Sequence, residues 1–182
     1  MNRIVLLVLL LTGQALSLNA QKRFIARQGQ VTFFSYTSVE NIEATNNQVF
    51  SILDFNKNEL AVSILMRAFV FPKALMQEHF NESYMESDIY PKSTFEGDII
   101  DFDASLPTVQ TKIIKGRLTV HGITKEKEIK TKIEFIANTL VFSGSFDMTV
   151  ADYKIKIPPI VAGNIAKTIA VKFRFEFQPY EQ

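Results

Sequence analysis

Apolar and polar residues alternate strictly near the C-terminus, and this period of two constrains the fold more than any other feature of the chain. Between positions 171 and 178 every odd residue is apolar and every even residue is charged or an amide. Successive side chains of a β-strand point to opposite faces of its sheet, so the pattern predicts a strand with one buried and one solvated face. The apolar face consists of Val171, Phe173, Phe175 and Phe177.

The same period recurs along most of the chain. Its segments are rich in Val, Ile, Phe and Thr, and turn-forming residues separate them, as is typical of strands. The predicted strands are 30–37, 48–55, 60–70, 93–102, 117–121, 129–135, 140–149 and 171–178. The predicted turns are Asn46-Asn47, Asn56-Lys57-Asn58, Gly122 to Lys125 and Ala137-Asn138-Thr139.

One segment departs from the period of two. Positions 73–86 are rich in good helix formers and carry an apolar residue at every fourth position, as one face of a helix requires. Pro72 stands just before this segment, where it favours a helix start, and Pro91 prevents the helix from continuing. The repeated residues are Met76, Phe80 and Tyr84. The chain therefore predicts a helix inserted between strands.

About eight antiparallel strands joined by short turns predict an all-β fold. We expect an extended antiparallel β-barrel of about eight strands with one inserted α-helix. About eight strands give an interior that side chains just fill or that holds one small ligand, and closure removes exposed strand edges. A two-sheet sandwich stays open at this point, because periodicity does not distinguish it from a barrel.

The first twenty residues have the composition of an export signal. Ile4–Leu11 is an uninterrupted apolar run after a positive start, and Leu18-Asn19-Ala20 resembles a cleavage site. We therefore expect a signal peptide at 1–20, cleaved after Ala20, and a single domain at 21–182. The apolar run is too short to span a membrane, which needs about twenty residues. We expect a periplasmic or secreted mature chain without a transmembrane segment.

Most classes of catalytic chemistry find no support in the chain. The absence of Cys excludes disulfides, zinc–thiolate sites and cysteine nucleophiles. Neither His79 nor His121 has sequence neighbours that would complete a metal site. The formal net charge is +1 and no basic cluster occurs, so no nucleic-acid partner is expected. Phosphate-binding and nucleophile motifs are absent too, and we expect a protein that is not an enzyme.

Three stretches resemble the YceI-like family. The strongest is the predicted hairpin Gly-Arg-Leu-Thr-Val-His-Gly-Ile-Thr-Lys at 116–125, and the others are 85–95 and 152–155, followed by the alternating closing strand. The resemblance extends over about 24–178. It implies a lipocalin-like barrel of eight strands with a helix, exported to the periplasm, that binds a polyisoprenoid chain in its interior. The resemblance implies no catalytic residue in this chain, because the matching positions belong to hairpins and turns.

An apolar interior agrees with this implication, since the chain has 16 Phe, 5 Tyr and no Trp. We expect an exported protein that sequesters or carries an isoprenoid-type lipid, polyprenyl or quinone-like, inside its barrel. This lipid is the small-molecule partner that we expect, and we expect no metal or other cofactor. The predicted ligand-binding residues are Phe33, Phe95, Leu118, Val120, Ile133, Phe135, Phe142, Phe146, Phe173 and Phe175.

Two other functions stay open at this point. A structural or interaction barrel without a ligand would use the same phenylalanines as ordinary core, which is the alternative for each predicted residue. An enzyme acting on a lipid or quinone would need buried polar groups with shifted pKa values in the wall. A homodimer also stays open, because nothing in the sequence determines the oligomeric state.

Overall fold

The described residues, which are 23–37, 39–103, 105, 108–137, 139–161 and 163–180, form a closed barrel in a computed structural model. Each of its eight strands pairs antiparallel with its neighbours in sequence, and the last strand returns to the first. The strands are β1 (Arg23–Ser35), β2 (Ile42–Asp54), β3 (Glu59–Leu65), β4 (Lys92–Ile99), β5 (Gln110–Val120), β6 (Ile123–Ile136), β7 (Thr139–Thr149) and β8 (Thr168–Pro179). The expected all-β barrel is confirmed. The predicted signal peptide at 1–20 lies outside the described residues.

The inserted helix lies between β3 and β4, as predicted. It consists of α1 (Ala74–His79) and a turn of π-helix, Phe80–Tyr84, that continues it. The predicted segment 73–86 is therefore helical from Ala74 to Tyr84, and its second half is wider than an α-helix. No helix within the described residues is long and apolar enough to cross a membrane.

The predicted turn at Asn46-Asn47 is wrong, because both residues lie within β2. The pairing of β2 with β1 shifts register between Asn46 and Val49, so the strand bulges there. Asn46 is fully buried in the bulge. Its Nδ2 donates to the carbonyl oxygen of Leu65 at 2.8 Å, and its Oδ1 accepts from the backbone nitrogen of Gln48 at 2.8 Å. The side-chain amide thus supplies hydrogen bonds where the ladder is irregular.

Phenylalanine rings fill one end of the barrel. Phe142 is fully buried and meets Phe177 edge to face, with 5.1 Å between ring centroids. Phe102 lies 6.4 Å from Phe142 and 5.5 Å from Phe55. Rings at these separations attract each other beyond the effect of burial alone. We refer to Phe55, Phe102, Phe142 and Phe177 as the aromatic plug.

The hairpin between β5 and β6 turns tightly at His121 and Gly122. Both residues have positive φ, 50° for His121 and 71° for Gly122. A two-residue turn of this kind matches the right-handed twist of its strands, and glycine adopts it without strain. The predicted turn at Gly122 to Lys125 is correct in its start only, because β6 begins at Ile123.

We expect Gly122→Ala to lower the free energy of unfolding by about 1–2 kcal/mol, the usual cost of a side chain at positive φ. The new Cβ would also lie 2.7 Å from the ring of Tyr90. Gly163→Ala is the matched control, since nothing lies within 4 Å of its Cβ position. Urea unfolding of both variants measures the difference, and equal stabilities would show that the turn tolerates a side chain.

Candidate ligand-binding cavity

The barrel end opposite the aromatic plug encloses a cavity of about 270 Å³. Strands form its walls, and the connection from β3 to β4 forms its roof. The strand residues that line it include Val31, Phe33, Ile64, Leu118, Val120, Phe146, Met148, Ile169 and Val171. Because these side chains are all apolar, an apolar ligand can move from water into the cavity without breaking hydrogen bonds of polar groups in the wall.

Four phenylalanines join the wall to the roof. Phe33 of β1 lies 5.4 Å from Phe69, 5.8 Å from Phe71 and 5.6 Å from Phe80, measured between ring centroids. Phe71 and Phe80 are 5.0 Å apart. The four-residue repeat of the helical segment explains the position of Phe80, because all its members line the cavity, namely Met76, Phe80 and Tyr84.

Polar side chains lie chiefly at the mouth of the cavity. His79 and Asn164 line it and are exposed to solvent. Glu40 also lines it, and its carboxylate forms an ion pair with Lys73 at the start of α1. Burial raises the pKa of Tyr84, so its hydroxyl remains neutral. The rim therefore combines several hydrogen-bonding groups with one carboxylate that already has a counter-ion.

Polar groups deeper in the wall have partners within the protein. The hydroxyl of Ser35 accepts from the backbone nitrogen of Ala166 at 2.8 Å, and that of Ser93 donates to the sulfur of Met66 at 3.0 Å. No group of three or more potential metal ligands occurs among the described residues.

Contacts of His121 join three segments beside the cavity. Its Nε2 lies 2.9 Å from Oε2 of Glu86, and its Nδ1 lies 3.2 Å from the carbonyl oxygen of Tyr153. Its ring packs on Tyr90 with 4.4 Å between centroids. Both ring nitrogens thus lie within hydrogen-bond distance of an oxygen from another segment. Burial and the carboxylate of Asp152 raise the pKa of Tyr153.

These contacts also bring together the three stretches that carry the family resemblance. Glu86 and Tyr90 belong to 85–95, His121 to 116–125, and Tyr153 to 152–155. The stretches are far apart in sequence, yet they converge on one ring. Their matching residues thus fix the helical segment to the β5–β6 turn, which is a structural role.

A larger concavity of about 980 Å³ lies on the outer face of strands β1 to β6. Charged residues line it together with apolar ones such as Phe50 and Ile52, and the charged residues pair across strands, with Arg117 3.3 Å from Glu96 and Arg23 3.2 Å from Asp54. An apolar chain bound here would take water from these charged groups, which costs free energy. The smaller apolar cavity is therefore the candidate site.

Comparison with known proteins identifies the family of the chain. The family model described as a YceI-like domain matches residues 21–177. The chain belongs to the YceI-like family. No curated protein matches this YceI-like chain.

Solved structures share the fold of this YceI-like chain at low sequence identity. A polyisoprenoid-binding domain from Saccharophagus degradans, implicated in plant cell wall breakdown, matches with a TM-score of 0.74 and 12% identity over 88% of this chain and 99% of that chain. BcnA from Burkholderia cenocepacia has a TM-score of 0.68 and 14% identity over 82% and 96% of the two chains. The YceI protein of Campylobacter jejuni has a TM-score of 0.62 and 15% identity over 81% and 90%. These likenesses show the fold.

The YceI-like barrel distributes the ten predicted ligand-binding residues over three environments. Those that line the cavity are Phe33, Leu118, Val120 and Phe146. Those that are buried elsewhere in the barrel are Phe95, Ile133, Phe142 and Phe175. Phe173 is partly buried and stacks on Phe175 at 5.3 Å, and Phe135 is 43% exposed at the end of β6. Ligand contact stays a prediction for all ten.

Sequence reasoning missed the part of the cavity that the connections between strands form, as well as strand residues such as Val31, Ile64 and Ile169. The missed apolar residues include Met66, Phe69, Phe71, Met76, Phe80 and Met85 between β3 and β4, and Ile155, Ile157 and Ile165 between β7 and β8. The helical repeat in 73–86 was a usable signal, because an amphipathic helix inserted in a barrel must turn its apolar face to the interior. The segment after β7 has no such period.

Proposed function

We propose that this YceI-like protein is an exported carrier that sequesters an isoprenoid-type lipid in the apolar cavity. The observation that carries the proposal is the cavity itself, a preformed apolar space of about 270 Å³ in a barrel whose other end is filled. Each CH₂ group that moves from water into such a space gains about 0.8 kcal/mol. A preformed site also avoids the entropic cost of ordering the protein on binding.

The size of the cavity limits how the lipid is held. Pockets for drug-sized ligands measure about 300–1,000 Å³, so a cavity of about 270 Å³ lies at the lower end. It accommodates a short apolar chain, or one end of a longer chain whose remainder leaves the barrel. The exposed rim residues His79 and Asn164 can donate hydrogen bonds to a carbonyl or hydroxyl head group.

Two further observations support this proposal. The similar barrel from Saccharophagus degradans is a polyisoprenoid-binding domain. The first twenty residues have the pattern of a signal peptide, which supports a periplasmic or secreted location.

The polar groups of the site fit a binding protein better than an enzyme. Glu40 is engaged by Lys73, and Tyr84 is held neutral by burial, so neither is poised as a general base. His79 is exposed at the rim rather than enclosed with a potential substrate. We therefore propose a protein that is not an enzyme and whose small-molecule partner is the lipid.

Native mass spectrometry of the mature protein, followed by solvent extraction, tests this function. We expect a stoichiometric adduct whose extract shows the mass ladder of isoprenoid homologues. An empty protein that also fails to take up added geranylgeraniol or fatty acids would contradict the proposal and favour a barrel without a ligand. An adduct of fatty acid alone would retain the carrier but change its lipid class.

A further inference from the structure

The barrel wall is interrupted beside the cavity, between β6 and β7. Their ladder runs from Ile136 opposite Thr139 to Thr131 opposite Gly144 and then stops. Beyond it, Ile123–Lys130 of β6 pairs with β5 alone, and Ser145–Thr149 of β7 pairs with β8 alone. We call the boundary between these two stretches the seam.

The seam leads directly to the cavity. Phe146 and Met148, on the β7 side, both line the cavity. On the other side, β6 is paired with the part of β5 that carries Leu118 and Val120, which line it too. Separating strands at a continuous ladder would break backbone hydrogen bonds, whereas the seam has no ladder to break.

A second interruption of the wall, between β2 and β3, is sealed by the backbone. Strand pairing there begins only at Phe50 opposite Ser63. In the open part, Thr45 and Val70 exchange two backbone hydrogen bonds of 3.1 Å and 2.9 Å. The side chain of Asn46 adds a third bond, to the carbonyl oxygen of Leu65 at 2.8 Å. This interruption is therefore closed by fixed groups, unlike the seam.

Lys127 closes the seam through its side chain. Its Nζ donates to the carbonyl oxygen of Asp147 at 2.6 Å and lies 5.6 Å from the ring centroid of Phe146. Within the described residues, this is the hydrogen bond that joins the two sides of the seam. The alkyl stem covers apolar surface while the ammonium stays near solvent, so the side chain can swing away without leaving a buried charge.

We propose that the seam is a side port through which an apolar chain enters and leaves the cavity, with Lys127 as its latch. This inference rests on the proposed lipid binding. It assigns entry to the wall, away from the rim that His79 and Asn164 form. It also lets a chain longer than the cavity project sideways from the barrel.

A cross-link across the seam tests the port. The chain contains no Cys, so the pair Glu128→Cys and Asp147→Cys, both exposed, can be joined selectively by a short bis-maleimide. Displacement of an apolar fluorescent dye measures the rates at which geranylgeraniol is taken up and released. We expect both rates to fall at least about tenfold in the cross-linked protein, because the local opening is blocked. The matched control joins Lys132→Cys to Ser143→Cys, which face each other in the intact ladder, and should leave both rates unchanged.

A second pair of variants tests the latch. Lys127→Met keeps the alkyl stem but removes the hydrogen bond, and we expect about five- to tenfold faster release. Lys125→Met, two positions away, should leave release unchanged. Equal rates in the cross-linked, control and unmodified proteins would overturn the port while leaving lipid binding intact. Absence of uptake by the unmodified protein would instead overturn the proposed function on which the port depends.

Discussion

Replacing Phe142 with alanine is expected to lower the free energy of unfolding by about 3–5 kcal/mol, the usual loss for a fully buried phenylalanine. Phe142 has no exposed surface and contacts both Phe102 and Phe177, so its removal leaves a void at the centre of the aromatic plug. The surrounding strands are held by continuous ladders on both sides of β7 at this level, which limits how far they can collapse into the void.

Phe135→Ala is the matched control for this experiment. Phe135 lies on the neighbouring strand but is 43% exposed, so we expect a loss of about 1 kcal/mol or less. Urea unfolding gives both values. Lipid uptake should persist in Phe142→Ala under folding conditions, because the cavity lies at the other end of the barrel. Similar losses for the two variants would show that the plug contributes no more stability than an exposed ring.

The strand pattern of the sequence predicted the barrel because burial on one face forces a period of two. The alternation in 171–178 lies within β8, and each of its apolar residues is buried or partly buried. The same argument could not find the cavity. Phe142 and Phe146 lie four residues apart on one face of β7, yet one belongs to the plug and the other lines the cavity. The alternation of apolar residues shows which face of a strand points into the barrel, but it does not show whether side chains fill that part of the interior.

The predicted starts of β1, β2, β5 and β6 are all too late, and for β1 and β2 the physical reasons differ. β1 and β2 begin at Arg23 and Ile42, before the predicted 30 and 48. In β2, the bulge at Asn46 lets a turn-forming residue lie inside a strand because its amide is fully hydrogen-bonded. In β1, the register also shifts against both neighbours, which interrupts the alternation.

The predicted start of β6 coincides with the seam. The sequence predicted a strand from 129, whereas β6 begins at Ile123. Between these positions Lys125 and Lys127 occupy the face that carries Ile129 and Ile133 further along, so the alternation of apolar and charged residues fails. Inward lysines are tolerated there because β7 does not pair with this stretch and solvent reaches their ammonium groups. The apparent failure of the pattern therefore marks the interruption in the wall.

Filling the cavity should weaken lipid binding with little change in stability. Ile169 is partly buried, lines the cavity and faces Met148 across β7 and β8. In Ile169→Trp the indole would occupy space that the ligand needs, and we expect the affinity for geranylgeraniol to fall at least about tenfold, which corresponds to about 1.4 kcal/mol. Overpacking a filled core costs about 1–3 kcal/mol, but here the added atoms enter existing space.

Ile136→Trp makes the same substitution at a residue that is 44% exposed and outside the cavity. It should bind geranylgeraniol like the unmodified protein, as measured by displacement of an apolar dye, and thermal unfolding should show that both variants fold. The two outcomes separate the functions that the sequence left open. Loss of affinity in Ile169→Trp alone places the lipid in the cavity. Unchanged affinity in a folded Ile169→Trp would place the lipid elsewhere, and the cavity would then be a packing defect of a barrel whose phenylalanines serve only as core.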